Sequence, residues 1–134
     1  MIKGMWNYGV KVENIEETTE FYTRYMGAEV RIQSEVLGCQ YTLIRMGETR
    51  IILFDKAPYE DDMGLNLPLG FLHVVYETDD FEAEIAKLRE SGVNFIMGPM
   101  VIESDFGKRK FAFFEAPDGI RTEVMQVYED TGIA

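Results

Sequence analysis

One cysteine, Cys39, and one histidine, His73, are the chain's whole supply of the two side chains that most often cross-link a protein or hold a transition metal. A lone cysteine excludes an internal disulfide, and the expected compartment is the cytoplasm. No apolar run approaches the roughly 20 residues that span a bilayer. The first residues, MIKGMWNYGV, lack the apolar core of a secretory leader and are read as structure. Positive charge is also scarce. Thirteen Lys and Arg stand against 24 Asp and Glu, giving a formal net charge of −11 and a pI of about 4.5. That balance disfavours binding along a nucleic acid backbone or on an anionic membrane, and the acidity itself is read as solubility. The run Lys108, Arg109, Lys110 is a local exception: a charged strand start that also suits an anionic ligand.

What is present is the composition of a folded protein. The 134 residues are 46% hydrophobic and 28% charged, enough for one fused domain or two small motifs sharing a core. From Met5 to Val12 the alternation of Tyr8, Val10 and Val12 with Asn7, Gly9 and Lys11 predicts a strand. A helix then starts at Asn14, capped by Asn14 or Glu13, with Glu16, Glu17 and Glu20 at its positive end and Gly27 as its stop. Its expected inward face is Ile15, Thr18, Phe21, Tyr22, Tyr25 and Met26. Three strands follow, at 28–37, 39–46 and 49–54, separated by Gly38 and by Gly47-Glu48. Residues 56–69, with Pro58, Gly64, Pro68 and the acids Glu60 to Asp62, read as a linker or a lid.

The series then restarts. A strand over 71–78 runs into a helix capped by Asp79 or Asp80, with Phe81, Ile85 and Leu88 inward and Gly92 as its end. Strands follow at 93–102, broken at Gly98-Pro99, then at 110–115, and after a Pro117-Asp118-Gly119 turn at 121–127. Offsetting the first half by 66 residues lays Asn7 on His73 and Val12 on Thr78, and an offset of 71 lays Ile52 on Glu123. The two copies run over 4–55 and 70–128, linked by 56–69.

This duplicated order, with GVKVENIEETTEFYTRYMGAEV at one end and FAFFEAPDGIRTEVMQ at the other, resembles the vicinal oxygen chelate superfamily: glyoxalases, extradiol dioxygenases, methylmalonyl-CoA epimerases and bleomycin-resistance proteins. The resemblance implies an α+β fold of two tandem βαβββ modules, a cup-shaped mixed sheet with helices outside, and a small organic ligand in the cup between the modules. It also implies a homodimer. A fully equipped member draws metal ligands from four strand positions, which here are Asn7, Ile52, His73 and Glu123. His73 and Glu123 keep donor chemistry suited to zinc, iron, nickel or manganese. Asn7 offers a neutral amide, and Ile52 offers nothing.

Strand parity adds the lining expected for the cup. Arg121, Glu123 and Met125 share one face, as do Arg50, Ile52 and Phe54, while Asn7 is set with Gly9 and His73 with Val75. Ile51 and Leu53 are expected against the first helix, and the faces of Tyr41, Arg45, Phe111 and Phe113 stay open. Apolar walls with a few orienting polar groups are the usual make-up of a small-molecule pocket. Three readings follow. In the first, His73 and Glu123, with Asn7 or water, hold a divalent metal for a lyase, isomerase or dioxygenase reaction. In the second, the protein sequesters a small molecule, such as an antibiotic, without metal. The third makes His73 and Glu123 a metal-free catalytic pair in which the carboxylate raises the imidazole pKa.

Overall fold

The computed structural model describes all 134 residues, and the element order repeats as the sequence repeats. The first series is β1 (Ile2–Lys11), α1 (Ile15–Met26), β2 (Glu29–Val36), β3 (Cys39–Met46) and β4 (Thr49–Phe54). A short helix α2 (Glu60–Met63) intervenes. The second series is β5 (Gly70–Thr78), α3 (Phe81–Ser91), β6 (Asn94–Ser104), β7 (Gly107–Ala116) and β8 (Ile120–Asp130). The fold is α+β and glyoxalase-like.

The chain forms two compact units whose borders cut through strands. The N-terminal unit is Asn7–Leu72 with Ile133–Ala134, and the C-terminal unit is Met1–Trp6 with His73–Gly132. β1 is therefore shared, its first residues counted with the second series. There Met1 lies at the end of β5: its carbonyl accepts from the Asp79 amide at 3.3 Å and from the Thr78 hydroxyl at 3.1 Å.

In the N-terminal unit, β1 pairs parallel to β4, and β4 and β2 pair antiparallel to β3. Ala28, Ile44, Ile51 and Leu53 form the core, with Tyr8, Val10, Ile15 and Tyr22 packed against it, so the alternate residues Ile51 and Leu53 do bury on the α1 side. Asn14 caps α1, its side chain accepting from the Glu17 amide at 2.9 Å, and Gly27 closes it in the left-handed conformation (φ 69°). The inward face is narrower than the spacing predicts. Phe21, Tyr25 and Met26 are exposed, the Phe21 and Tyr25 rings lying tilted against each other with centroids 5.5 Å apart, while Thr19 is buried. The sequence has more apolar residues around this helix than the sheet can cover, and the stripe Ile15, Thr18, Thr19, Tyr22 wins because it is the one that meets the core.

Residues 56–69 are not a loose connection. Ala57, Tyr59 and Glu60 are buried, α2 occupies the middle, and the Glu60 carboxylate pairs with Lys11 at 2.9 Å. Cys39 is buried too, and burial foremost, with Asp55 adding repulsion, pushes its thiol up to about 11. The thiolate is the reactive form. Iodoacetamide at pH 7.5 is expected to label less than about a tenth of the native protein in the time that fully labels it in denaturant; comparable native labelling, read by mass spectrometry, would contradict this burial.

In the C-terminal unit, β5 pairs parallel to β8, and β8 and β6 pair antiparallel to β7. Phe81, Ile85, Ala112, Phe114 and Val124 form its core, with Leu88 packed against it, as the spacing within α3 predicts. Asp80 caps α3 by accepting from the Ala83 amide at 3.2 Å. Gln126 accepts from the Phe81 amide at 2.8 Å, tying the helix start to β8. The Gly98-Pro99 bond is cis and coincides with the break in β6–β7 register.

Candidate functional site

Because Ala112, Phe114 and Val124 face α3, strand alternation puts Phe111, Phe113, Glu123 and Met125 on the opposite face of the C-terminal sheet. The register makes Glu123 the cross-strand neighbour of Val75 on β5 and of Phe113 on β7. His73 joins this group: its ring meets Phe113 edge to face at 4.9 Å, and Phe113 meets Phe111 in the same way at 5.6 Å. His73, Val75, Phe111, Phe113 and Met125 are all buried. Of the residues singled out in the sequence, His73, Val75, Arg121, Glu123 and Met125 thus belong to one sheet. Asn7, Arg50, Ile52 and Phe54 belong to the N-terminal unit, where Gly9 pairs with Ile52 and the Phe54 ring lies 6.1 Å from Tyr41. The Asn7 side chain is buried there, and its Nδ2 has no hydrogen-bond acceptor.

Arg109 is the site residue that the sequence reading named only as part of a charged run. It is 7% exposed, with its guanidinium 4.5 Å from the Trp6 ring centroid and 4.8 Å from that of Phe106. Its Nη1 lies 3.2 Å from Met125 Sδ. Two flat aromatic faces around a guanidinium hold it by cation–π attraction. The sequence carried only half of the signal: Arg109 stands two residues before Phe111 and shares its face, but which face that is depends on the register of β7 on β8.

The electrostatics are set by burial. Desolvation first, and the Arg121 charge second, push His73 down to about 3, so the imidazole is neutral at physiological pH. Burial pushes the Glu123 carboxyl up to about 8, against the opposing pull of Arg109. Glu123 keeps some solvent exposure along its side chain, and its carboxyl makes no hydrogen bond or ion pair within the protein. The expectation that Glu123 raises the His73 pKa is therefore reversed: the charge that His73 feels is a guanidinium, and it acts in the same direction as burial.

No three His, Cys, Asp or Glu side chains stand close enough to share one ion. Guanidiniums influence both His73 and Glu123, and Glu123 would have to give up a proton that its surroundings hold. These residues do not fit a divalent cation. On the α3 side of the same sheet lies a separate apolar hollow of about 470 Å³, walled by Ile2, Val74, Leu88, Phe114 and Ile120, with Glu123 on β8 along its floor.

A duplicated strand-helix-three-strand order, each helix packed on its own strands, defines a class of α+β proteins built from two βαβββ modules. The chain belongs to the Glyoxalase/Bleomycin resistance protein/Dioxygenase superfamily, whose model matches residues 7–124. Among solved structures it is similar to a variant of Streptomyces coelicolor methylmalonyl-CoA epimerase in complex with 2-nitronate-propionyl-CoA. The TM-score is 0.76 at 20% identity, covering 96% of this chain and 99% of that one. Methylmalonyl-CoA epimerase from Mycobacterium tuberculosis gives a TM-score of 0.74 at 17% identity, covering 94% and 89%. A hypothetical protein from Bacillus halodurans C-125 gives 0.74 at 18%, covering 95% and 96%. At these identities the likeness establishes the fold. No helix of the chain is long and apolar enough to cross a membrane.

Proposed function

We propose that the chain binds a small organic molecule on the His73–Glu123 face of its C-terminal sheet, and that it does so without a metal. The observation that carries this reading is the Glu123 carboxyl. It sits between Val75 and Phe113, makes no hydrogen bond or ion pair in the protein, and burial pushes it up to about 8 against the pull of Arg109, which favours the acid form at neutral pH. A desolvated carboxylic acid with no partner forfeits hydrogen-bond energy that a bound molecule restores. In the acid form it donates, so the complementary group is a carbonyl or carboxylate oxygen. The buried rings of Phe111 and Phe113 suit the apolar remainder of the ligand.

One observation favours a catalytic version. A carboxyl with a pKa near 8 is matched to taking and returning a proton at neutral pH, which is what an isomerase acting beside a carbonyl requires. The epimerases of similar fold support that direction.

Thermal-shift screening of acyl thioesters and aromatic carboxylates in EDTA tests the binding claim. A hit is expected to raise the melting temperature equally with and without EDTA, by mass action, and to do so far less in Glu123→Ala. Stabilisation that appears only on adding a divalent metal would overturn the metal-free reading. For the catalytic version, methylmalonyl-CoA incubated with the protein in D2O is expected to gain one deuterium, and to gain none with Glu123→Gln.

A further inference from the structure

The last residues of the chain, Ile133 and Ala134, are counted with the N-terminal unit although the strand they follow is not. Ile133 is buried to 8% exposure, whereas Thr131 and Gly132 before it are exposed. Neither residue is in a helix or strand. Their polar contacts are two: Arg31 Nε donates to the Ile133 carbonyl at 3.2 Å, and Arg45 Nη1 donates to the Ala134 carbonyl at 3.2 Å. Arg45 also donates to the Gly47 carbonyl at 2.7 Å, which fixes its guanidinium.

Arg45 is the cross-strand partner of Arg50, and Leu43, two residues before it, pairs with Ile52. Since Ile44 and Ile51 face α1, these four residues lie on the face away from the helix. Two arginines directly opposite each other on a sheet repel, and the Gly47 and Ala134 oxygens that accept from Arg45 offset part of that cost. Nothing in what the two guanidiniums read is particular to a polypeptide. Arg31 and Arg45 each donate to one carbonyl oxygen, and the branched aliphatic side chain of Ile133 is buried.

We propose that Ile133 and Ala134 are a displaceable intramolecular occupant of a binding site on this sheet, and that the site takes small molecules carrying a branched aliphatic group flanked by carbonyl or carboxylate oxygens. The burial of one isoleucine and two hydrogen bonds are set against the entropy of ordering the tail, terms of similar size. A competitor therefore has little to overcome. The site stands in the N-terminal unit and does not depend on the role given to His73 and Glu123.

N-acetyl-L-isoleucine, which presents an amide carbonyl, a carboxylate and a sec-butyl group, is the probe, and amide chemical shifts are the readout. The chain ending at Gly132 is expected to show saturable shifts at Arg31, Leu43 and Arg45, lost in the same chain with Arg45→Gln. The full chain is expected to need at least about twofold more probe, because its own tail occupies the site for a fraction of the time and lowers the apparent affinity by that fraction. A folded short chain with no saturable shift, or equal affinity in both chains, would overturn the proposal. Should the short chain fail to fold, Arg31→Gln with Arg45→Gln in the full chain tests the same contacts. The heteronuclear NOE of Ile133 and Ala134 is then expected to drop to the level of a flexible tail, and a tail that stays as ordered as in the parent refutes the strap.

Discussion

Replacing Glu123 by glutamine is expected to leave stability unchanged at pH 4 and to make the protein progressively more stable than its parent as the pH rises. The sign follows from where the proton is held. The Glu123 carboxyl has an ordinary value of 4.5 and is pushed up to about 8 in the folded protein by burial. Below 4.5 it is protonated in both folded and unfolded chains and contributes no difference. Between 4.5 and about 8 the unfolded chain releases its proton while the folded chain keeps it, so parent stability falls with pH. Above that range the penalty is constant. Glutamine has a similar shape and no proton to release, so it escapes the penalty. With each pKa unit worth about 1.4 kcal/mol, and with a discount for the residual solvent contact of Glu123, the advantage of the variant should reach on the order of 3 kcal/mol near pH 8. Urea unfolding at pH 4, 6 and 8 measures it. A difference that is flat across that range would mean that the carboxyl ionises freely in the folded state, and the reading of Glu123 as a neutral donor would fall with it.

His73 has the opposite pH sense. Its imidazole is pushed down to about 3, so its neutral form supports the fold above its ordinary value of 6.5, and that support is lost as the pH falls toward 3. One sheet face thus holds a histidine that resists gaining a proton and a glutamate that resists losing one. The parent keeps two desolvated groups whose costs run in opposite directions, that of Glu123 growing as the pH rises from 4.5 and that of His73 growing as the pH falls from 6.5. Proteins commonly accept such a cost where a ligand repays it.

How much of this could be read from the sequence depends on the range over which each feature is decided. Local choices were legible. Asn14 and Asp80 cap their helices, Gly27 and Gly92 end them, and Ile51, Leu53, Phe81 and Ile85 turn inward because alternation and helical spacing are fixed by the backbone. Parity also placed Glu123 and Met125 on the face away from the helix. The orientation of Phe111 and Phe113 needed one further fact, the register of β7 on β8, which no local pattern carries. Exposure of Phe21 and Tyr25 was missed because burial depends on how much sheet lies beneath the helix. The third kind of miss was electrostatic. A sequence shows that a histidine and a glutamate exist, but whether they ionise depends on which side chains pack around them, and here those are Phe113, Val75 and two arginines.

The prolines, glycine and acids of residues 56–69 read as a linker or a lid, yet the segment is packed, and one buried ion pair accounts for it. Glu60 looks in sequence like one of three solvated acids. In the structure it is 3% exposed, and its carboxylate accepts from Lys11 Nζ at 2.9 Å, the Leu67 amide at 2.6 Å and the Ala57 amide at 3.0 Å. Lys11 in turn donates to Asn66 Oδ1 at 2.9 Å and to the Leu67 carbonyl at 2.8 Å. Burial alone would raise the Glu60 pKa, and Lys11 with the two amides overcomes it, so the value is lowered below 4.5. Lys11→Met keeps most of the side-chain volume and removes the only cation on the carboxylate, so it is expected to cost about 3 kcal/mol at neutral pH, the usual result of leaving a buried charge uncompensated. The loss should shrink in acid. Parent stability from Glu60 is fully present above 4.5 and fades as the pH falls through the lowered folded value, whereas the variant has already lost it. Adding Glu60→Leu to Lys11→Met should recover part of the loss by removing the stranded carboxylate, since an apolar replacement of a whole buried pair is often close to neutral. Urea unfolding of the parent, the single variants and the double variant closes the cycle. A single-variant loss under about 1 kcal/mol, the value of an exposed pair, would show that water reaches Glu60 and that the 56–69 segment is held by its apolar residues, Ala57 and Tyr59, rather than by charge.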